Sequence, residues 1–139
     1  SRPGSIPEGV TDSTRLVSSL DIFPTVCDYA GITPPAGLEG TSLKPLVENP
    51  SLPGPEFVPC ALYPVGPKSD VSGRMIRTTR YKYTAFNRGE RPEMLVDMES
   101  DPGEMWNLAG VSAVAKVLTD HRLMLKEWLI KTRDDFIFS

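Results

Sequence analysis

The sequence predicts an α+β fold in which a four-stranded antiparallel sheet is covered by a long C-terminal helix and preceded by a helix and loops of a larger domain. Three observations support this. Arg80 to Phe86 alternates, with Tyr81, Tyr83 and Ala85 on one side and Arg80, Lys82 and Thr84 on the other, and after the Gly-containing link Asn87 to Pro92 a second apolar run, Met94-Leu95-Val96-Asp97-Met98, completes a hairpin. Val114, Leu118, His121, Leu125 and Trp128 step by four and three residues, which places them on one helical stripe. The 14 prolines cluster at Pro3 to Pro7, Pro34-Pro35 and Pro45 to Pro67, which separates the elements.

The elements follow in order. Ser1 to Gly9 is a Pro/Gly-rich connection, and Val10 to Val17 is an extended approach to a helix at about 19–30. Ser18 or Ser19 can cap that helix, Asp21 suits its positive first turn, Pro24 sits where a missing N–H costs least, and Gly31 stops it. Its apolar residues cover much of its circumference, so it is expected to pack against something outside this chain. Residues 32–49 read as loop with one possible helical turn at Ser42 to Val47. The chain is accordingly divided into 1–49, a linker at 50–56, and a second domain at 57–139. Four strands are expected there, at about 57–62, 74–78, 80–86 and 93–98, joined by links short enough to require antiparallel pairing. Pro59 places the first strand at an edge. The final helix spans about 112–132, with Ser112 as its N-cap, and its length and apolar stripe suit it to cover the sheet.

Composition narrows the function. At 139 residues the chain can bury one modest core, and a formal charge of −3 argues against nucleic acid or an anionic membrane surface as the main partner. No apolar run is long enough to span a membrane. Cys27 and Cys60 lie inside apolar patterns rather than at a metal-ligand spacing and are expected to be buried free thiols.

The segment Gly73-Arg74-Met75-Ile76-Arg77-Thr78 with Arg80-Tyr81-Lys82-Tyr83, then Leu95-Val96-Asp97-Met98, Asp101-Pro102-Gly103-Glu104 and Asn107-Leu108-Ala109, resembles the C-terminal subdomain of type I sulfatases. Leu20-Asp21-Ile22-Phe23-Pro24-Thr25 through Tyr29-Ala30-Gly31-Ile32, and Gly37-Leu38-Glu39-Gly40-Thr41-Ser42-Leu43 with Pro45-Leu46, resemble further segments of that family in the same order. Ser1-Arg2-Pro3-Gly4 is similar to a strand exit of the family, and the chain is therefore expected to be the end of a longer protein. Val96 departs from the family's usual Tyr, a substitution that a strand accepts. The resemblance implies that 1–49 ends an α/β catalytic domain. It also implies a parent enzyme, a sulfuric ester hydrolase that uses a formylglycine and a divalent cation, usually calcium, held by Asp and Asn oxygens.

None of that machinery is legible here. Cys27 and Cys60 lack the Pro and Arg that a formylglycine motif requires, and no pair of Asp has the spacing of the family's cation site. The acidic run Asp97, Glu99, Asp101 and Glu104 reads as a solvated turn whose Asp97 and Asp101 bond backbone N–H groups. His121, the sole histidine, reads as a hydrogen-bonded packing residue. The basic group Arg74, Arg77, Arg80, Lys82, Arg88 and Arg91 could bind sulfate, its arginines through guanidinium forks, but alternation sets Arg80 and Lys82 opposite the tyrosines, on a solvated face. The loop from Tyr63 to Gly73 is the exception, because Pro/Gly loops on a rigid sheet often line clefts. Lys68 and Arg74 are the candidate substrate-binding residues. No residue is assigned a catalytic or metal-ligating role.

The expected partners are the missing N-terminal catalytic domain and, for the parent, a sulfated small molecule or carbohydrate; self-association through exposed apolar surface is also expected. The resemblance allows a periplasmic, secreted or lysosomal parent. A related phosphodiesterase or phosphonate hydrolase, and a non-catalytic binding module, are the alternatives.

Overall fold

The computed structural model describes Gly4, residues 6–63 and residues 70–137. It divides into two compact units, Ser1–Glu56 and Phe57–Ser139.

The first unit is built around helix α1 (Ile22–Ala30), entered through a 3-10 turn at Ser19–Asp21. Ser18 Oγ accepts from the Leu20 N–H at 3.2 Å while Asp21 Oδ2 accepts from the Ser18 N–H at 2.8 Å, a reciprocal cap that fixes the entry. Gly31 ends α1 in the left-handed region at φ 70°. The same polar residues bind the following loop: Asp21 Oδ1 accepts from the Thr41 N–H (2.9 Å), Thr25 Oγ1 from the Leu43 N–H (2.8 Å), and Asp28 from Ser42 Oγ (2.7 Å) and Lys44 Nζ (3.0 Å). Gly40 is demanded by this approach, since a Cβ there would lie 2.1 Å from the Leu20 carbonyl oxygen. Helix α2 (Lys44–Glu48) follows, and Arg15 ties its end down by donating to Leu46 O (2.9 Å) and Pro50 O (2.7 Å). Within α1 only Pro24 and Cys27 are buried, whereas Ile22, Phe23 and Val26 are exposed.

The second unit contains β1 (Val58–Leu62), β2 (Gly73–Arg77), β3 (Tyr81–Phe86) and β4 (Glu93–Asp97), in the sheet order β1-β2-β3-β4, all antiparallel. A second 3-10 turn at Ser112–Val114 leads into α3 (Ala115–Thr132). The register aligns Ile76, Tyr83 and Leu95 across β2, β3 and β4. Those residues and Ala85 form the core with Leu118, Leu125 and Leu129 of α3, so the helix covers one sheet face. Tyr83, Ile76, Leu95 and Leu125 are fully buried.

Several expectations are corrected. Ser112 caps nothing: the chain enters the 3-10 turn from Val111 with no side-chain cap, because α3 begins three residues later. The core stripe includes Leu129, one turn beyond Leu125, and Trp128 is only partly buried beside it. Cys60 is exposed, because β1 is an edge strand with a neighbour on one side only, while Cys27 is buried. The face opposite α3 is not solvated at its centre, where Thr84 and Val96 are buried; the register sets Thr84 between the long side chains of Met75 and Met94.

β4 forms the other edge, and Asn107 closes it. Its Oδ1 accepts from the Leu95 N–H (3.1 Å), its Nδ2 donates to Glu93 O (2.8 Å), and the neighbouring Leu108 N–H donates to Leu95 O (2.8 Å). A side-chain amide thus takes the place of a fifth strand.

Candidate functional site

The loop singled out by sequence runs from β1 to β2. Lys68 lies outside the described residues; Arg74, on β2, does not. Its guanidinium is buried and bidentate on Asp134, with Nε to Oδ2 at 2.7 Å and Nη2 to Oδ1 at 3.0 Å, and its Nη1 donates to Gly73 O at 2.9 Å. The rings of Phe136 and Tyr63 lie 4.8 Å and 5.7 Å from its central carbon. Hydrogen bonding to Arg74 holds the Asp134 carboxyl below the ordinary carboxylate range. Arg74 therefore joins the start of β2 to the chain that follows α3.

The residues just before β2, at the same end of the loop, are tied to the β3–β4 turn. Ser72 N–H donates to Asn87 Oδ1 (2.9 Å), Asn87 N–H to Ser72 O (3.0 Å), and Asn87 Nδ2 to Asp70 O (2.8 Å), while Arg88 pairs with Asp70. Sequence reasoning identified none of these partners. Only the turn-forming character of Asn87 hinted at them.

Around the sheet several charges are paired, although the buried Nη1 of Arg77 on β2 has no hydrogen-bond partner among the described residues. Glu93 accepts from the Tyr83 hydroxyl (2.5 Å) and from both Nε (2.7 Å) and Nη2 of Arg122, which joins β3, β4 and α3. Arg122 holds the Glu93 carboxyl below its usual range, and burial pushes the Tyr83 hydroxyl well above its own. Lys82 Nζ meets Glu104 at 2.6 Å. Arg80 is a further correction: β3 starts at Tyr81, so the alternation does not extend back to Arg80, and its guanidinium lies 5.1 Å from the Tyr81 ring centre. Cation and tyrosine do meet there.

Asp97 also departs from a solvated turn, since it is buried and accepts from Arg80 Nε at 3.1 Å and Nη2 at 2.7 Å. The expected backbone bonds are present as well, from the Glu99 N–H to Asp97 (3.2 Å) and from the Trp106 N–H to Asp101 (2.8 Å). His121 packs as predicted, buried, with Nδ1 2.8 Å from Val117 O and Nε2 3.1 Å from Thr78 Oγ1. Both ring nitrogens are engaged. Among the described residues no group of three or more His, Cys, Asp or Glu could hold a metal ion, and no helix is long and apolar enough to cross a membrane.

The geometry is that of a packed subdomain, and comparison with known proteins shows of what kind. The family model for the C-terminal part of N-sulphoglucosamine sulphohydrolase matches residues 1–134. The chain belongs to this sulfatase C-terminal family. A Delta 4,5-hexuronate-2-O-sulfatase of Bacteroides thetaiotaomicron is 38% identical over 120 residues, which is 85% of this chain and 24% of that protein. A solved 2-O GAG sulfatase superposes with a TM-score of 0.73 at 35% identity, over 86% of this chain and 26% of that one. The phosphonate monoester hydrolase of Agrobacterium radiobacter gives a TM-score of 0.62 at 28% identity, over 86% and 25%. The sulfatase C-terminal chain thus spans about a quarter of the length of these relatives.

Proposed function

We propose that the parent protein hydrolyses sulfate esters on a uronate-containing carbohydrate. The observation that carries this reading is the 38% identity, across most of the chain, to a hexuronate-2-O-sulfatase. A formylglycine and a divalent cation, calcium by resemblance, would supply the attacking oxygen and hold the sulfate in that parent. The described residues offer no cluster able to hold the cation, so its ligands are assigned to the preceding domain. This chain's own part is to close one side of the substrate cleft and to bury apolar surface of that domain. The apolar side chains that α1 leaves exposed, Ile22, Phe23 and Val26, support the second role.

For substrate contact the reading retains Lys68 and Arg74. Arg74 already commits its guanidinium to Asp134 and Gly73, so a sulfate would have to compete with a carboxylate for it. We assign direct contact to the loop carrying Lys68 and the placing of that loop to Arg74. A periplasmic, secreted or lysosomal setting goes with the same reading.

The test is an assay of the full-length protein on an unsaturated, 2-O-sulfated uronate disaccharide and on a phosphonate monoester, with peptide mass spectrometry for formylglycine. Release of sulfate from the disaccharide is expected. Turnover of the phosphonate alone would favour the second reading, a phosphonate hydrolase, which the Agrobacterium similarity supports. Lys68→Ala is expected to raise KM for the disaccharide; unchanged kinetics would remove Lys68 from the site.

A further inference from the structure

α3 turns only half of its surface to the core. Leu118, Leu125 and Leu129 point inward, while Leu123 and Ile130 on the outer side are 55% and 70% exposed. At its C-terminal end Arg133 adopts φ 54°, the left-handed region that a non-glycine residue rarely takes, and the Asp134 N–H donates back to Leu129 O at 3.0 Å. That reversal, pinned by Arg74 on Asp134, brings the tail back beside the helix, where Ile137 is 82% exposed. Helix and tail enclose an open groove of about 720 Å³.

The groove has an apolar floor and a basic rim. Leu123, Ile130 and Ile137 line it together with Arg122, Lys126 and Arg133. Arg122 is neutralised by Glu93, and Asp134, the carboxylate in the lining, is neutralised by Arg74. Among the described residues Lys126 and Arg133 are in no ion pair, although both are exposed. Large side chains left in water in one place mark an interaction surface, and unspent cations beside them set the sign of what fits.

We propose that this groove docks an acidic peptide segment of a partner protein. Apolar side chains of the segment would lie on Leu123, Ile130 and Ile137, and its carboxylates would meet Lys126 and Arg133. The volume suits a few anchoring side chains rather than a folded surface.

The experiment uses the full-length protein and a fluorescent 16-residue helical peptide with leucines at i, i+3 and i+7 framed by glutamates, set against the same peptide framed by lysines. Fluorescence anisotropy is expected to show saturable binding of the acidic peptide only. Lys126→Glu with Arg133→Glu should weaken it at least about tenfold and admit the lysine peptide, since like charges now face the acidic one. Lys126→Glu alone retains the test if the left-handed turn at Arg133 is disturbed. Ile130→Asp, at an exposed position, should abolish binding without moving the melting temperature. Equal binding of both peptides, no binding of either, or a photo-cross-linker at Leu123 reaching the protein's own preceding domain would each overturn the proposal.

Discussion

Arg74 and Asp134, 60 residues apart in sequence, meet in a bidentate pair of 2.7 and 3.0 Å that fastens the start of β2 to the chain after α3. Both side chains are largely withdrawn from water, at 7% and 16% exposure. Removing one partner leaves the other charge poorly solvated. Asp134→Ala or Arg74→Ala is expected to lower unfolding free energy by about 3 kcal/mol, and the double variant to cost clearly less than the sum of the two. Denaturant titration of the four proteins measures this; simple additivity would show that the pair contributes no coupling.

Asp97 gives a pH dependence of defined sign. Hydrogen bonding to Arg80 lowers its carboxyl from 3.8 to about 2. A group depressed in the folded state stabilises above its unfolded value, and that contribution disappears as pH falls from about 4 to about 2. Melting temperature followed from pH 6 to pH 2 should therefore drop in this window. Asp97→Asn should reduce the drop, and an identical profile for the variant would exclude Asp97 as a source.

Asn107 closes the β4 edge through Leu95 N–H and Glu93 O. Asn107→Ala is expected to cost about 2 kcal/mol and to release an edge that pairs with other chains. Amide exchange at Leu95 should accelerate, and light scattering on heating should rise earlier. Unchanged exchange at Leu95 would mean that the side-chain bond protects nothing.

The exposed apolar side chains of α1 predict association of the 139-residue chain when it is produced alone. Sedimentation should show a concentration-dependent rise in mass, and Phe23→Ser with Val26→Ser should abolish it. A monomer at all concentrations would contradict the expectation.

The sequence by itself determined the sheet, its antiparallel pairing and the final helix, because each rests on signals local to a few residues: alternation, short links and helical spacing. It narrowed the first cap to Ser18 or Ser19, and the structure chose Ser18, whose N–H donates in return to Asp21. It also carried the sulfatase wording from Gly73 to Ala109, within which Asn107 and Asp97 later proved to be bonded. Tertiary structure alone decided which partners those residues took. Arg74 reaches Asp134 across 60 residues, Tyr83 and Arg122 share Glu93 across three elements, and Ser112 caps nothing because the helix starts further on. Cys60 is exposed and Thr84 buried for the same reason: burial depends on which neighbours a strand acquires, and no period of two or 3.6 residues encodes them.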